Sequence, residues 1–232
     1  MVAVVLLPGM DGSGLLFAEF TSKLEARCII VSYPPDQPLG YRDLQDLVRS
    51  RLPEDEPFIL LAESFSGPVA IAIAANPPPQ LKALVLVCTF AKYPAPSAAL
   101  PLLQRTVPLM PIWRAPMSLS ARVLLGRWPS SAAEASLMRA ISLVAPAVWK
   151  TRLRSVLSVD ETSSLCRIRA PTLYLRASED RVVFSSASAV LSAHVPRIKV
   201  AEIEGPHFLL QSKPEESAAA VKAFAVEQGL AI

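Results

Sequence analysis

Six short runs rich in Val, Ile and Leu recur along the chain, at Val2–Leu7, Cys28–Tyr33, Phe58–Ala62, Ala83–Cys88, Thr172–Leu175 and Ile198–Ile203. Within them apolar positions mostly run on instead of alternating with polar ones, the pattern of strands buried on both faces of a sheet. Between them the spacing becomes that of amphipathic helices. Leu15, Leu16, Phe20 and Leu24 fall on one helical face, Tyr41, Leu44, Leu47, Val48 and Leu52 on the next, and Val190 follows Ala187 on a third. Strand and helix in alternation predict an α/β fold with right-handed crossovers and a mostly parallel sheet. Pro34-Pro35, Pro53, Pro57 and Pro77-Pro78-Pro79 mark element boundaries, as residues that cannot continue a helix should.

The alternation breaks once, between Ala91 and Val159, where prolines recur among short helical patches such as Ala132–Leu143 and strand signals are missing. The expected organisation is a core formed by residues 1–90 and 160–232, with 91–159 inserted as a helical cap over one end of the sheet. Leu102, Leu103, Leu109, Met110, Ile112 and Trp113 give the cap apolar surface that must pack on something. Met110 and Trp113 are its candidate substrate-binding residues.

Composition narrows the picture. A chain of 232 residues that is 52% hydrophobic suits one sizeable core. A net charge of +3, with acids and bases spread along the chain, gives no support for nucleic-acid binding. The cap is the exception, with Lys92, Arg105, Arg114, Arg122, Arg127, Arg139, Lys150, Arg152 and Arg154 against the single acid Glu134. Two readings of that excess stand: arginine stems covering apolar helix surface with their heads in water, or a preference for an anionic substrate or surface. The three cysteines, Cys28, Cys88 and Cys166, lie in or beside apolar stretches and read as buried free thiols of a reducing compartment. The N-terminus lacks a basic region before its short apolar run, and no run approaches the roughly 18 residues of a membrane span, so a soluble cytoplasmic protein is expected.

The chain has only two histidines. His194 falls at the end of a predicted helix, where the ring complements the helix dipole. His207 directly follows the last apolar strand, at the edge where parallel sheets place their ligands. Asp180 lies just past the end of the preceding strand; taken alone it reads as a turn residue or cap. Ser64 has the strongest context, because a strand ends at Ala62 and small residues stand two positions away on either side, before Gly67-Pro68-Val69 can begin a helix. That is the layout of a nucleophile elbow, a sharp strand-to-helix turn that lifts a hydroxyl out of the sheet. Ser64, Asp180 and His207 therefore form a candidate catalytic set, in which the histidine takes the serine proton and the aspartate fixes the imidazole tautomer. The glycine-rich Pro8-Gly9-Met10-Asp11-Gly12-Ser13-Gly14 follows the first strand, and the amides of Met10 and Phe65 are the candidate oxyanion donors. The same loop lacks the lysine and spacing of a phosphate-binding P-loop. Two histidines and three strand-bound cysteines supply no metal-ligand cluster, so neither a metal nor a cofactor is expected.

With these residues assembled, the chain resembles the α/β-hydrolase superfamily. "LLPGMDGSGLLF" is similar to its oxyanion loop, "LAESFSG" to its elbow, "LYLRASEDRVV" to its acid loop and "IEGPHFLLQSKPEE" to its histidine loop, in the family's order. The resemblance implies Ser64 as nucleophile, Asp180 as acid, His207 as base and the Met10 and Phe65 amides as oxyanion hole. It also implies a sheet of six strands with the first flanked by the second and third, the family's usual first hairpin being absent. Ala62 and Ser66 depart from the glycines usual in the elbow, Glu63 stands where many relatives carry histidine, and Pro8 replaces the histidine that often opens the oxyanion loop. Ser66 and Glu179 are the rival nucleophile and acid; Asp11, Ser13, Glu63 and Glu204 are read as loop-shaping hydrogen-bonding residues.

The expected function is a serine hydrolase acting on small lipophilic carboxylic esters through an acyl-enzyme. Acyl transfer and thioester hydrolysis are the alternatives, since water or another nucleophile resolves the same intermediate. A non-catalytic ligand-binding role on the same fold is the reading from another class.

Overall fold

A computed structural model of the chain describes residues 1–93, 106, 123–128 and 131–232. Its centre is a six-stranded sheet built from β1 (Ala3–Leu7), β2 (Cys28–Ile30), β3 (Phe58–Glu63), β4 (Leu81–Val87), β5 (Thr172–Ala177) and β6 (Ile198–Ile203), in the order β2-β1-β3-β4-β5-β6. Every pairing is parallel. β1 lies between β2 and β3, as the resemblance implied.

Alternation along the strands divides the core in two. Val5 and Leu7 of β1 with Leu60 and Ala62 of β3 point to one face, where α2 (Tyr41–Arg49) and α3 (Gly67–Ala75) cover them through Leu44, Val48, Val69 and Ile73. Val4, Leu6, Ile59 and Leu61 point to the other, beneath Phe20 and Leu24 of α1 (Ala18–Leu24) and Val221 and Phe224 of the C-terminal helix Pro214–Glu227. Both faces being covered explains why the central strands read as unbroken apolar runs.

Several expectations need correction: edge strand β2 is only partly buried, with Ile30 exposed, and Val190 is exposed although Ala187 is buried. β6 is half-exposed, because as an edge strand it has only β5 beside it and carries Lys199 and Glu202 outward. Leu15 belongs to a short 3-10 turn, Leu15–Phe17, and is exposed, while Leu16, Phe20 and Leu24 are buried.

In the interval read as a cap, the described helices are α4 (Ser131–Ser142) and α5 (Pro146–Ser158). Lys92 and Asp160 at its two ends are joined by an antiparallel bridge and a 2.8 Å ion pair, so the chain leaves and rejoins the core at neighbouring points. After α6 (Thr162–Leu165) and β5, α7 (Ser185–His194), β6, α8 (Leu209–Ser212) and α9 (the helix Pro214–Glu227) complete the fold. No helix among the described residues is long and apolar enough to cross a membrane.

Candidate active site

The strand order reverses direction about β1: β2 lies on one side, β3 on the other, and the loops leaving β1 and β3 diverge to opposite faces. Such a point is where open parallel sheets bind ligands, beyond the carboxyl ends of the strands. Leu7 pairs with Ala62, so the loop after β1 and the turn after β3 emerge side by side.

Ser64 begins that turn with φ +49°, in the left-handed region that costs a residue with a β-carbon conformational energy. The surroundings hold it there. Thr89 Oγ1 donates to the Ser64 carbonyl, and the Tyr174 hydroxyl donates to the Thr89 carbonyl at 2.9 Å. Thr89 reaches Ser64 because residue 67 is glycine: a β-carbon there would collide with the Thr89 side chain. Ser66, where the family's glycine is usual, is fully buried and donates to the Pro8 carbonyl, while the Tyr33 hydroxyl donates to Ser66 Oγ at 2.6 Å. Its hydroxyl therefore ties the elbow to the oxyanion loop. As the rival nucleophile it is already engaged by these two partners, whereas the hydroxyl on the imidazole is that of Ser64.

Ser64 Oγ–H donates to His207 Nε2 at 2.9 Å, and His207 Nδ1–H faces both Asp180 oxygens at 2.9 and 2.8 Å. Asp180 is held in turn by the amides of Val182 and Val183, each 2.8 Å from Oδ1. His207 and Asp180 side chains are only 3% and 5% exposed, so their interaction is little screened by water. With Nδ1–H on the aspartate, the Nε2 lone pair points at the serine proton. Glu179, the rival acid, instead pairs with Arg127 at 2.8 Å. His194 ends α7 with Nδ1–H donating to the Val190 carbonyl at 2.8 Å, far from this chemistry in role.

The loop after β1, the candidate oxyanion loop, is braced carbonyl by carbonyl. Ser66 takes Pro8 O, the Gly12 amide takes Gly9 O at 3.0 Å, and the Tyr33 amide takes Gly12 O at 2.7 Å. The two carbonyls between, Met10 O and Asp11 O, both accept from Arg152 Nη1 at 2.8 Å. Among the described residues no loop or side-chain acceptor engages the amide of Met10. Asp11 accepts from the Ser13 amide at 2.9 Å and from its hydroxyl, the loop-shaping role expected of both residues. Glu204 pairs with Arg127 at 2.6 Å, also at the surface.

Glu63, immediately before Ser64, is buried and accepts from Gln211 Nε2 at 3.0 Å. Burial pushes its carboxyl up to about 7; the Gln211 hydrogen bond and the nearby imidazole oppose the rise, and Asp11 adds to it. A cavity of about 200 Å³ opens over Ser64, lined by Met10, Glu63 and His207 and by the apolar side chains of Leu16, Leu137, Ile141, Trp149 and Phe208. Met110 and Trp113, the expected substrate contacts, lie outside the described residues.

Sequence reasoning missed four participants. Arg152, Thr89 and Gln211 act on backbone or side-chain groups remote in sequence. Cys88 lies buried at the end of β4, with its Sγ, an Asp180 oxygen and a His207 nitrogen all within 4.8 Å of one another. The expectation that no ligand-type residues cluster is thereby corrected: residues scattered over three strand ends converge because parallel strands bring their ends together. The cysteine expectation is corrected too, since all three are free but only Cys88 is buried, Cys166 being exposed and Cys28 intermediate. The cationic segment likewise resolves in part into internal partners, with Lys92 on Asp160, Arg127 on two glutamates and Arg152 on the oxyanion loop. Arg105, Arg114 and Arg122 lie outside the described residues.

Solved structures share this fold along nearly the whole chain. A bromoperoxidase from Bacillus anthracis superposes with a TM-score of 0.84 at 17% identity, over 97% of this chain and 92% of that one. An esterase from Exiguobacterium antarcticum gives 0.81 at 14% identity over 97% and 92%, and the enol-lactonase from Burkholderia xenovorans LB400 gives 0.77 at 13% over 97% and 91%. No sequence among curated proteins matches. A sequence model of the alpha/beta hydrolase family matches residues 4–220, and the chain belongs to that family.

Proposed function

We propose that the protein is a serine hydrolase that cleaves carboxylic esters through an acyl-enzyme on Ser64. The observation that carries this reading is the unbroken hydrogen-bonded line from Asp180 through His207 to Ser64 Oγ, ending at a cavity. In the first half-reaction Ser64 Oγ attacks the ester carbonyl carbon as His207 Nε2 takes its proton. The carbonyl oxygen becomes an oxyanion and accepts from the Met10 and Phe65 amides, while Asp180 stabilises the imidazolium. His207 then returns the proton to the leaving alkoxide as the C–O bond breaks. Water repeats the sequence on the acyl-enzyme and releases the acid.

The cavity lining of Leu16, Leu137, Ile141, Trp149 and Phe208 favours a lipophilic acyl or alcohol group. In this reading the segment 91–159 serves as the cap of the pocket, since Leu137, Ile141 and Trp149 come from α4 and α5. The names of similar folds, an esterase and a lactonase among them, point to the same bond type. The test is to label the protein with a fluorophosphonate, map the adduct, and assay aryl esters of short and long acyl chain. Ser64→Ala should lose labelling and about 10⁴-fold or more of turnover. An unlabelled Ser64, or undiminished turnover in the variant, would overturn the assignment. Adding an alcohol and measuring product partition separates hydrolysis from acyl transfer.

A further inference from the structure

We infer that Arg152 is a positioning residue of the oxyanion hole, and that helix α5 links that hole to the substrate pocket. The inference rests on the proposed serine mechanism and adds to it a group no motif predicts. Arg152 is 1% exposed, yet its guanidinium meets no carboxylate at hydrogen-bond distance among the described residues. Its partners are three backbone carbonyls: Met10 O and Asp11 O from Nη1 at 2.8 Å each, and Pro34 O from Nη2 at 3.1 Å. The cation also lies 5.8 Å from the centroid of the Tyr33 ring. Burying a cation whose direct hydrogen-bond partners are neutral carbonyls is costly, and burial lowers its pKa, with the nearby Asp11 carboxylate and Tyr33 opposing the shift. Surface packing alone does not account for such an arrangement.

The geometry says what the contact achieves. An oxyanion donor works only if its N–H is fixed in direction before the charge develops. Met10 N–H belongs to the peptide plane that carries Gly9 O, and that plane is pinned by the Gly12 amide. The following plane carries Met10 O, which Arg152 holds, so the rotation at Met10 is clamped from both sides. Gly12 makes room for the clamp: a β-carbon there would lie 2.7 Å from Arg152 Nη1. Gly12 is thus shaped to the guanidinium that holds the two carbonyls before it.

Arg152 stands one helical turn after Trp149 on α5, and Trp149 lines the cavity over Ser64. One helix therefore carries both a residue of the cavity wall and the residue that holds the loop after β1.

The test compares Arg152→Met and Arg152→Lys with the unmodified protein on an aryl ester, alongside a phenylboronic acid as transition-state mimic. A displacement of the donor by about 1 Å costs on the order of 100-fold. Arg152→Met should lower kcat about 100-fold with KM within about threefold, and weaken boronate inhibition in parallel; Arg152→Lys, able to reach one carbonyl, should recover part of both. Binding of the intact ester in a Ser64→Ala background should be unaffected by Arg152→Met. Both variants are first checked by thermal melting. Should Arg152→Met fail to fold, ¹⁵N-methionine labelling of Arg152→Lys decides the matter: the Met10 amide resonance must shift. Retained kcat in a folded variant, an unmoved Met10 resonance, or loss of substrate binding equal to loss of boronate affinity would overturn the inference. Those results differ from failure of the serine mechanism itself, in which the unmodified protein would show no Ser64 labelling.

Discussion

Replacing Glu63 by glutamine should make the protein more stable at neutral and alkaline pH, and the size of the gain follows from its burial. The carboxyl is raised from 4.5 to about 7, chiefly by burial. A group whose folded pKa lies above its unfolded one holds its proton more tightly in the native state. Its stabilising contribution is therefore complete below about 4.5, drains away as pH rises toward 7, and is gone above that. At about 1.4 kcal/mol per tenfold in proton affinity, the whole loss is about 3 kcal/mol, of which about 2.5 kcal/mol falls between pH 5 and pH 8. Glutamine keeps the shape and an acceptor for Gln211 Nε2 but does not titrate. Urea denaturation of both proteins at pH 5 and pH 8 isolates the effect, because titrating groups not coupled to Glu63 cancel in the double difference and its couplings to Asp11 and His207 are smaller than the burial effect. The stability advantage of Glu63→Gln should grow by about 2.5 kcal/mol from pH 5 to pH 8, or on the order of 5 to 10 °C in melting temperature. Parallel stability-pH profiles would refute the reasoning and would mean that Glu63 is hydrated in solution.

Ser66→Ala should cost about 1–3 kcal/mol in urea denaturation, because the buried Pro8 carbonyl loses its donor and the Tyr33 hydroxyl its acceptor; an unchanged midpoint would show that water replaces the hydroxyl. The cysteines should separate kinetically toward a thiol reagent. Exposed Cys166 reacts at once, half-buried Cys28 more slowly since burial raises its pKa, and Cys88, whose pKa is raised well above the usual range, only on unfolding. Mass mapping of the first-labelled site checks the order.

The sheet was legible because its central strands are covered on both faces, and continuous burial leaves a continuous apolar run. β6 misled for the same reason, as an edge strand keeps one side in water. Ser64, Asp180 and His207 were legible because each stands just beyond a strand end, where the topology collects side chains regardless of their spacing in the chain. Arg152 was not. It was one of nine cations in its segment, and its partners are carbonyls about 140 residues away, which carry no side-chain signature. Gly12 was the available clue, since a glycine whose β-carbon would meet a guanidinium marks a close approach, but the sequence does not name what approaches.

The departures from the family's elbow take on a different meaning once these contacts are known. A glycine at position 66 would let the turn close by offering no obstacle, whereas Ser66 closes it by making two hydrogen bonds that join β1's loop, the β2 exit at Tyr33 and the elbow. Thr89 joins β4's exit to the same turn through Ser64 O. Arg152 then adds α5 through Met10 O and Asp11 O, and Gln211 adds α8 through Glu63. The turn at Ser64 and the β1 loop beside it are thus braced by polar side chains from four separate parts of the chain. Small neighbours are necessary for such an elbow to form; in this protein hydroxyl and amide groups from outside the motif also reach it, and a guanidinium braces the β1 loop beside it.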